Sequence, residues 1–236
     1  QKGLENIIQH MGTPAVPRLR IGIDRPAPGR DSADYVLDRF RKSEQEAILK
    51  NEAVTRLSDE ELAKIEEGDF ILRRGFGFFS DYISKELNSG TIDVTHAGII
   101  IKHNDSLYVV HSLSSDVTNI DGLQAQPIGD FLKYSFPNKI IITRAKNCDK
   151  DMGAKISQLA QKYLAMHIPF DHKGNFDDDE KFFCTEMIWK ILEKDLHCVS
   201  LPTEAEARKK FFFSMSPMYD TKYFDIKINQ YDIENK

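Results

Sequence analysis

Two apolar runs on either side of a short polar stretch constrain this chain most. Val94-Thr95-His96-Ala97-Gly98-Ile99-Ile100-Ile101 and Leu107-Tyr108-Val109-Val110-His111 are separated by a segment containing Asn104-Asp105. Runs rich in β-branched and aromatic residues, joined by a turn pair, read as a β-hairpin. An antiparallel hairpin sets a residue near the start of its first strand beside one near the end of its second. His96 and His111 occupy those two places. Adjacent imidazoles can serve as a base and as the group that fixes its tautomer. Two histidines satisfied locally at strand ends fit the same pattern. Ala97 and Gly98 are small enough to let another group approach the strand closely. His103 belongs to the turn and reads as solvated.

A second feature needs the first. Phe182-Phe183-Cys184-Thr185-Glu186-Met187-Ile188-Trp189 reads as the start of a helix with a cysteine on its first turn. Met187, Ile188, Ile191 and Leu192 recur at helical spacing and form its buried face. The acidic run Asp177-Asp178-Asp179-Glu180 before it reads as solvated loop. A thiol at a helix N-terminus feels the positive end of the macrodipole, which favours the nucleophilic thiolate. A cysteine leading an apolar helix is also an ordinary core residue. Cys184 becomes a nucleophile only with a histidine partner from elsewhere in the chain.

The other elements follow in order. Ser58-Asp59-Glu60-Glu61 is a capping box ahead of Leu62 and Ile65. Glu67-Gly68-Asp69 turns into a buried strand at Phe70-Ile71-Leu72. Phe76 to Leu87 reads as loop and helix with an aromatic face of Phe78, Phe79, Tyr82 and Ile83, either core or the mouth of an apolar pocket. Asp130 to Tyr134 is a helical turn, and Ile140-Ile141-Ile142-Thr143-Arg144 a strand. Met152 to Met166 is an amphipathic helix. Pro169-Phe170-Asp171 leads to the acidic loop. After Pro202 the chain is charged, then aromatic at Phe211-Phe212-Phe213. Tyr223 to Ile228 alternates as a last strand.

Some function classes are excluded early. The chain has 236 residues and a net charge of −5, so electrostatics gives no case for nucleic acid or anionic membrane as the main partner. No apolar run reaches transmembrane length. Gln1-Lys2-Gly3 carries no apolar export-signal core, and with no initiator Met before it this says little about compartment. Cys148, Cys184 and Cys198 are odd in number and form no CxxC pair, so neither a zinc ribbon nor a disulfide framework is expected. A zinc site from His96, His111 and Cys184 fits no structural zinc spacing. No metal and no cofactor is expected.

The first fifth of the chain resembles the C-terminal part of bacterial peptidyl-tRNA hydrolase. Gly3-Leu4-Glu5-Asn6-Ile7-Ile8-Gln9-His10-Met11-Gly12-Thr13, Pro17-Arg18-Leu19-Arg20-Ile21-Gly22-Ile23 with Arg25-Pro26, and Asp34-Tyr35-Val36-Leu37 carry the likeness. That family's catalytic histidine and aspartate belong to an upstream portion with no counterpart here. Its asparagine before the Gly-Leu pair is matched by Lys2. The resemblance therefore implies, for residues 1–50, a small α/β fragment without catalysis, with 51–66 as linker and entry helix.

Gly68-Asp69-Phe70, then Thr95-His96-Ala97-Gly98-Ile99, then Phe170-Asp171, then Phe183-Cys184-Thr185-Glu186 form an ordered set. Over about residues 55–228 this set resembles the YiiX/YebB-like permuted papain-like hydrolases, related to NlpC-type cell-wall peptidases and more distantly to lecithin retinol acyltransferases. The resemblance implies an α+β fold, a circularly permuted papain-like domain over 67–230 with a central antiparallel sheet and a Cys-bearing helix. It implies a bacterial thiol hydrolase of amide bonds, a peptidase or amidase acting on cell-wall peptides or similar amides. Cys184 would attack, His96 would act as base and acid, and His111 would orient His96. The backbone N–H of Cys184 would help bind the oxyanion. Glu186 and Asp171 read as structural. Val94-Thr95 stands where the common version has Tyr-Ser. A lipid or acyl-ester hydrolase or acyltransferase on the same fold, and a non-catalytic lipid- or peptide-binding module, are the alternatives. The substrate would be a peptide, amide or acyl-lipid, and the compartment the cell envelope or the cytoplasm.

Overall fold

The computed structural model describes residues 56–87, 92–146, 151–176 and 178–231, apart from the side chains of 78, 79, 86 and 87. These residues fall in the unit Val54–Lys236. The expectations for residues 1–50 and for Cys148 lie outside the described residues.

The unit is built on a six-stranded antiparallel sheet. Its strands are β1 (Phe70–Gly75), β2 (His96–His103), β3 (Ser106–Leu113), β4 (Gly122–Pro127), β5 (Ser135–Ala145) and β6 (Phe224–Asn229). They lie in the order β4-β3-β2-β1-β5-β6, every neighbouring pair antiparallel. The helices are α1 (Asp59–Leu62), α2 (Phe78–Tyr82), α3 (Ile128–Lys133), α4 (Met152–Ala165), α5 (Cys184–Lys190) and α6 (Ala205–Phe213). α2 and α5 each run on into a π-helical turn, at Ile83–Leu87 and Ile191–Asp195. The antiparallel sheet and Cys-bearing helix expected of the α+β fold are both present.

The hairpin β2–β3 turns through Asn104 and Asp105, whose φ angles of 48° and 58° lie in the left-handed region. Two such residues make the tight turn that matches strand twist. The turn fixes the register, Ile99 opposite Val110 and His103 opposite Ser106.

The central strands are covered on both faces, which is why they read as unbroken apolar runs. Phe70, Leu72, Ile99, Ile101 and Ile141 meet Ile156 and Ala160 of α4 and Met187, Ile188 and Trp189 of α5. Ile71, Ile100, Val109, Ile140 and Ile142 meet Phe131 and Leu132 of α3, with Leu57 and Ile65. The capping box holds at α1. Ser58 Oγ accepts from Glu61 N–H, and Glu61 accepts from Ser58 N–H at 2.7 Å.

The Gly68-Asp69 turn does two jobs. Gly68 has φ 85°, and a Cβ there would lie 2.4 Å from Gly153 Cα, so only glycine lets α4 settle against the turn. Asp69 is buried and accepts a two-pronged hydrogen bond from Arg144, at 2.7 Å and 2.9 Å.

Two elements have little signature in the sequence. β4 has Leu123 as its one large apolar side chain, with Gln124 and Gln126 and small or cyclic residues for the rest, and it is a strand because β3 supplies its hydrogen bonds. α6 begins with charge and ends in Phe211-Phe212-Phe213. These rings point to different neighbours, Phe211 against Trp189, Phe212 against Phe176 and Phe213 against Phe183. On the expected aromatic face of α2, Tyr82 is half exposed rather than core; the Phe78 and Phe79 side chains lie outside the description.

Candidate active site

The hairpin register carries His96 and His111 to one face of the sheet. Gly98 stands between them: a Cβ at that position would lie 2.4 Å from Val109 Cγ1 and 3.3 Å from His111 Cβ. With no side chain there, the two rings meet. His96 Nε2 and His111 Nδ1 are 2.9 Å apart, with the rings near perpendicular at 81°. Both histidines are buried.

Two further residues complete this face, and the sequence reading missed both. Arg73 on β1 sits directly across the ladder from His96. Phe131 of α3 forms a common floor. The Arg73 guanidinium lies 4.6 Å above its ring, and the His96 and His111 ring centroids are 5.7 Å and 5.1 Å away. The only signal for Arg73 was a pair of cations, Arg73-Arg74, ending an apolar strand. Phe131 looked like any aromatic of a short helical turn.

Cys184 is the first residue of α5, which packs against β2. The backbone N–H of Ala97, the residue after His96, points at its thiol, as do those of Thr185 and Cys184 itself. The structure thus brings all three sequence-predicted residues to the N-terminal end of β2. The Cys-bearing segment is bolted down from two sides. Ser112 Oγ donates to Phe182 C=O at 2.5 Å, and Thr185 Oγ1 donates to Phe212 C=O at 2.7 Å.

The electrostatics differ from the expected resting thiolate. Burial pushes the Cys184 thiol up, against the pull of the three N–H groups and of Arg73. Burial, Arg73 and His111 hold His96 well below its ordinary value. Burial and Arg73 take His111 down to about 3, with the nearby Gln126 amide pulling weakly the other way. The resting site is a neutral thiol beside two neutral imidazoles and one guanidinium, which burial lowers to about 10 and leaves charged near neutral pH. Burial outweighs the helix-end field that the sequence reading relied on.

Glu186 accepts from Phe183 N–H at 3.1 Å, closing the backbone just before the cysteine. It is 1% exposed, and burial raises its carboxyl to about 8. Asp171 is also buried and accepts from the backbone N–H groups of Lys173 and Asn175. Each carboxylate is engaged with backbone rather than with the thiol. Among the described residues no group of three or more His, Cys, Asp or Glu is arranged to hold a metal ion.

A sequence model described as permuted papain-like amidase enzyme, YaeF/YiiX, C92 family, matches residues 64–219. That stretch is most of the chain and contains the whole of the site.

The chain belongs to the permuted papain-like amidase family.

Membership makes it a papain-like cysteine hydrolase with activity of the amidase or peptidase kind. A solved structure titled as the metalloprotein YiiX from Escherichia coli O157:H7 aligns over 57% of this chain and 68% of its own, at 20% identity and TM-score 0.47. A peptidyl-tRNA hydrolase model matches residues 1–69. The peptidyl-tRNA hydrolase of Geobacillus thermodenitrificans is 49% identical over 57 residues, 24% of this chain and 30% of that protein. The Roseiflexus enzyme is 60% identical over 47 residues, 20% of this chain and 21% of that protein. The chain spans no more than a third of these relatives' length. Among the described residues no helix is long and apolar enough to cross a membrane.

Proposed function

We propose that this amidase works through Cys184 as nucleophile, His96 as base and acid, and His111 as the residue that orients His96. One observation carries the reading. The His96–His111 hydrogen bond uses Nε2 of His96, while the thiol lies against the N–H of the next residue, Ala97. With Nε2–H donating to His111 Nδ1, the free lone pair of His96 is on Nδ1, the nitrogen left for the thiol.

As the thiol sulfur bonds to the substrate carbonyl carbon, its proton passes to His96. The carbonyl oxygen gains the electron pair and is received by the N–H groups of Cys184 and Thr185. Collapse of this adduct breaks the C–N bond, and His96 returns the proton to the departing nitrogen. Water, deprotonated by His96, then cleaves the thioester and restores the thiol. Small peptides, cell-wall peptides among them, are the substrate class we favour.

A second reading, acyl-ester hydrolysis or transfer, draws on exposed aromatic rings. Phe76 follows β1 directly, is 47% exposed, and meets Phe136 with centroids 4.3 Å apart. This is the end of β1 that carries Arg73. A panel of peptide amides and acyl esters, run on wild type and Cys184→Ser, separates the two. Turnover of amides that is lost in the variant supports the first reading, and turnover of esters alone supports the second. Ligand binding with neither reaction returns the chain to a binding module.

We read residues 1–50 as carrying no hydrolase chemistry of their own. Hydrolysis of N-acylated tRNA by the full chain with Cys184→Ser would overturn that.

A further inference from the structure

Besides Arg73, other arginines drawn into the fold are paired with carboxylates among the described residues. Arg144 is paired with Asp69 and Glu66, Arg74 with Asp81 and Asp93, and Arg208 with Glu193. Arg73 is 7% exposed and pairs with no carboxylate among the described residues. It donates through Nη1 to the backbone C=O of Tyr134, lies over the Phe131 ring, and leaves Nε–H buried with no acceptor. A buried cation without its anion is costly, and natural folds rarely keep one idle.

β5, on the other side of β1, sets the apolar Ile140 opposite Arg73. β2 offers His96, directly across the ladder, and β3 offers His111, both neutral imidazoles. β4 contributes only the amide of Gln126 toward this histidine pair. Beyond α3, Tyr134 gives its carbonyl, while its side chain is 60% exposed to water. On α5, the Glu186 carboxyl is engaged at Phe183 N–H. The thiol of Cys184 is held at the N–H of Ala97, one residue from the Arg73–His96 rung, within reach of the Arg73 charge.

The geometry points to Arg73 as the standing counter-ion of the Cys184 thiolate, a positioning residue whose ion pair is completed only when the thiol loses its proton. This rests on the reading of Cys184 as nucleophile and adds the source of its ionisation. In the step above, the S–H bond breaks, the electron pair stays on sulfur beside Arg73, and the proton moves to His96. The guanidinium keeps its charge throughout. The same cation disfavours imidazolium at His96, which makes it a stronger acid toward the departing nitrogen. Arg73 therefore favours the thiolate and the return of the proton from His96, and it lowers the basicity of His96 in doing so. It does so through charge, not by touching the substrate.

The test measures the rate of Cys184 alkylation by iodoacetamide from pH 5 to 10, followed by mass spectrometry, in wild type, Arg73→Lys and Arg73→Met. Methionine keeps an unbranched side chain over Phe131 without the charge. The expected result is a midpoint at least about one pH unit higher in Arg73→Met, a tenfold slower reaction below both midpoints. Arg73→Lys recovers most of the shift. Nitrogen NMR of His96 moves in the same sense, toward titration at higher pH in Arg73→Met. Wild type supplies an independent arm. Anionic iodoacetate is favoured over neutral iodoacetamide at Cys184 more than at glutathione. A folded Arg73→Met with an unchanged midpoint overturns the proposal. If that variant does not fold, a wild-type reagent preference no greater than that of glutathione overturns it. None of these readouts needs turnover. Loss of amide hydrolysis with the shifts intact would count against the proposed reaction and leave the Arg73 pairing standing.

Discussion

His96 Nε2 and His111 Nδ1 are joined at 2.9 Å across neighbouring strands, over a glycine that leaves the space between them empty. The bond fixes which nitrogen of His96 is free. His111→Ala releases it, and under the proposed mechanism His96 then spends much of its time in the wrong orientation or tautomer. We expect kcat to fall on the order of 100-fold with KM little changed. Steady-state kinetics on the best amide of the panel checks this. An equal loss in KM alone would mean that His111 shapes binding instead.

Gly98→Ala should break the same relationship by crowding. The new methyl meets Val109 Cγ1 at 2.4 Å, Val110 O at 3.1 Å and His111 Cβ at 3.3 Å. Two of those neighbours are fixed by the sheet, so the strands must part. We expect a loss of about 1–3 kcal/mol in urea unfolding. Unchanged stability would show that the hairpin yields more easily than its register implies.

The buried histidines make the fold sensitive to acid. His111 titrates at about 3 in the folded state against 6.5 when free. Between those values the unfolded chain takes up a proton that the folded chain refuses. Stability is therefore present above pH 6.5 and falls as pH drops toward 3, by up to about 1.4 kcal/mol per pH unit for each such histidine. Urea unfolding from pH 4 to 7 should show this slope, and His111→Gln should remove one histidine's share. The same slope in both proteins would contradict it.

Glu186 acts in the opposite sense. Its carboxyl sits at about 8 in the fold and at 4.5 when free, so the folded chain keeps a proton that the unfolded chain gives up. That contribution is full below pH 4.5 and disappears as pH rises through 8. Glu186→Gln keeps the acceptor for Phe183 N–H and removes the titration. Melting temperatures at pH 5 and pH 8.5 should show the variant gaining on wild type at the higher pH. A constant gap between the two would sink the assignment.

Much of this site is written in local patterns, and part of it is not. The hairpin was legible because its strands and turn are contiguous, and the pairing of His96 with His111 follows from counting along it. Cys184 was legible as the head of an apolar helix, and the ordered motifs tied it to His96. Arg73 was not, because its partner across the ladder is 23 residues away in sequence and nothing local marks a buried cation. Phe131 serves three residues on three strands, a relation only the assembled sheet creates. The resting charge state was misread for a similar reason. The helix end is local, whereas burial, which outweighs it, comes from the whole fold. β4 and α6 lacked periodicity of their own and are shaped by what they pack against.

The turn at Asn104-Asp105 has a consequence far from where it lies. Seven residue-to-residue steps of extended strand carry the chain from His96 to His103, so the turn is about 23 Å from the first histidine. Yet that turn sets the count by which Gly98, and not Ala97, comes to face His111. A slip of one residue would send His111 to the opposite side of the sheet, among the residues that meet α4 and α5. The site is thus protected against changes of letter at its remote end and exposed to changes of length. A lineage of such chains can redecorate this loop freely, but adding or removing one residue there would erase the site without altering any residue in it.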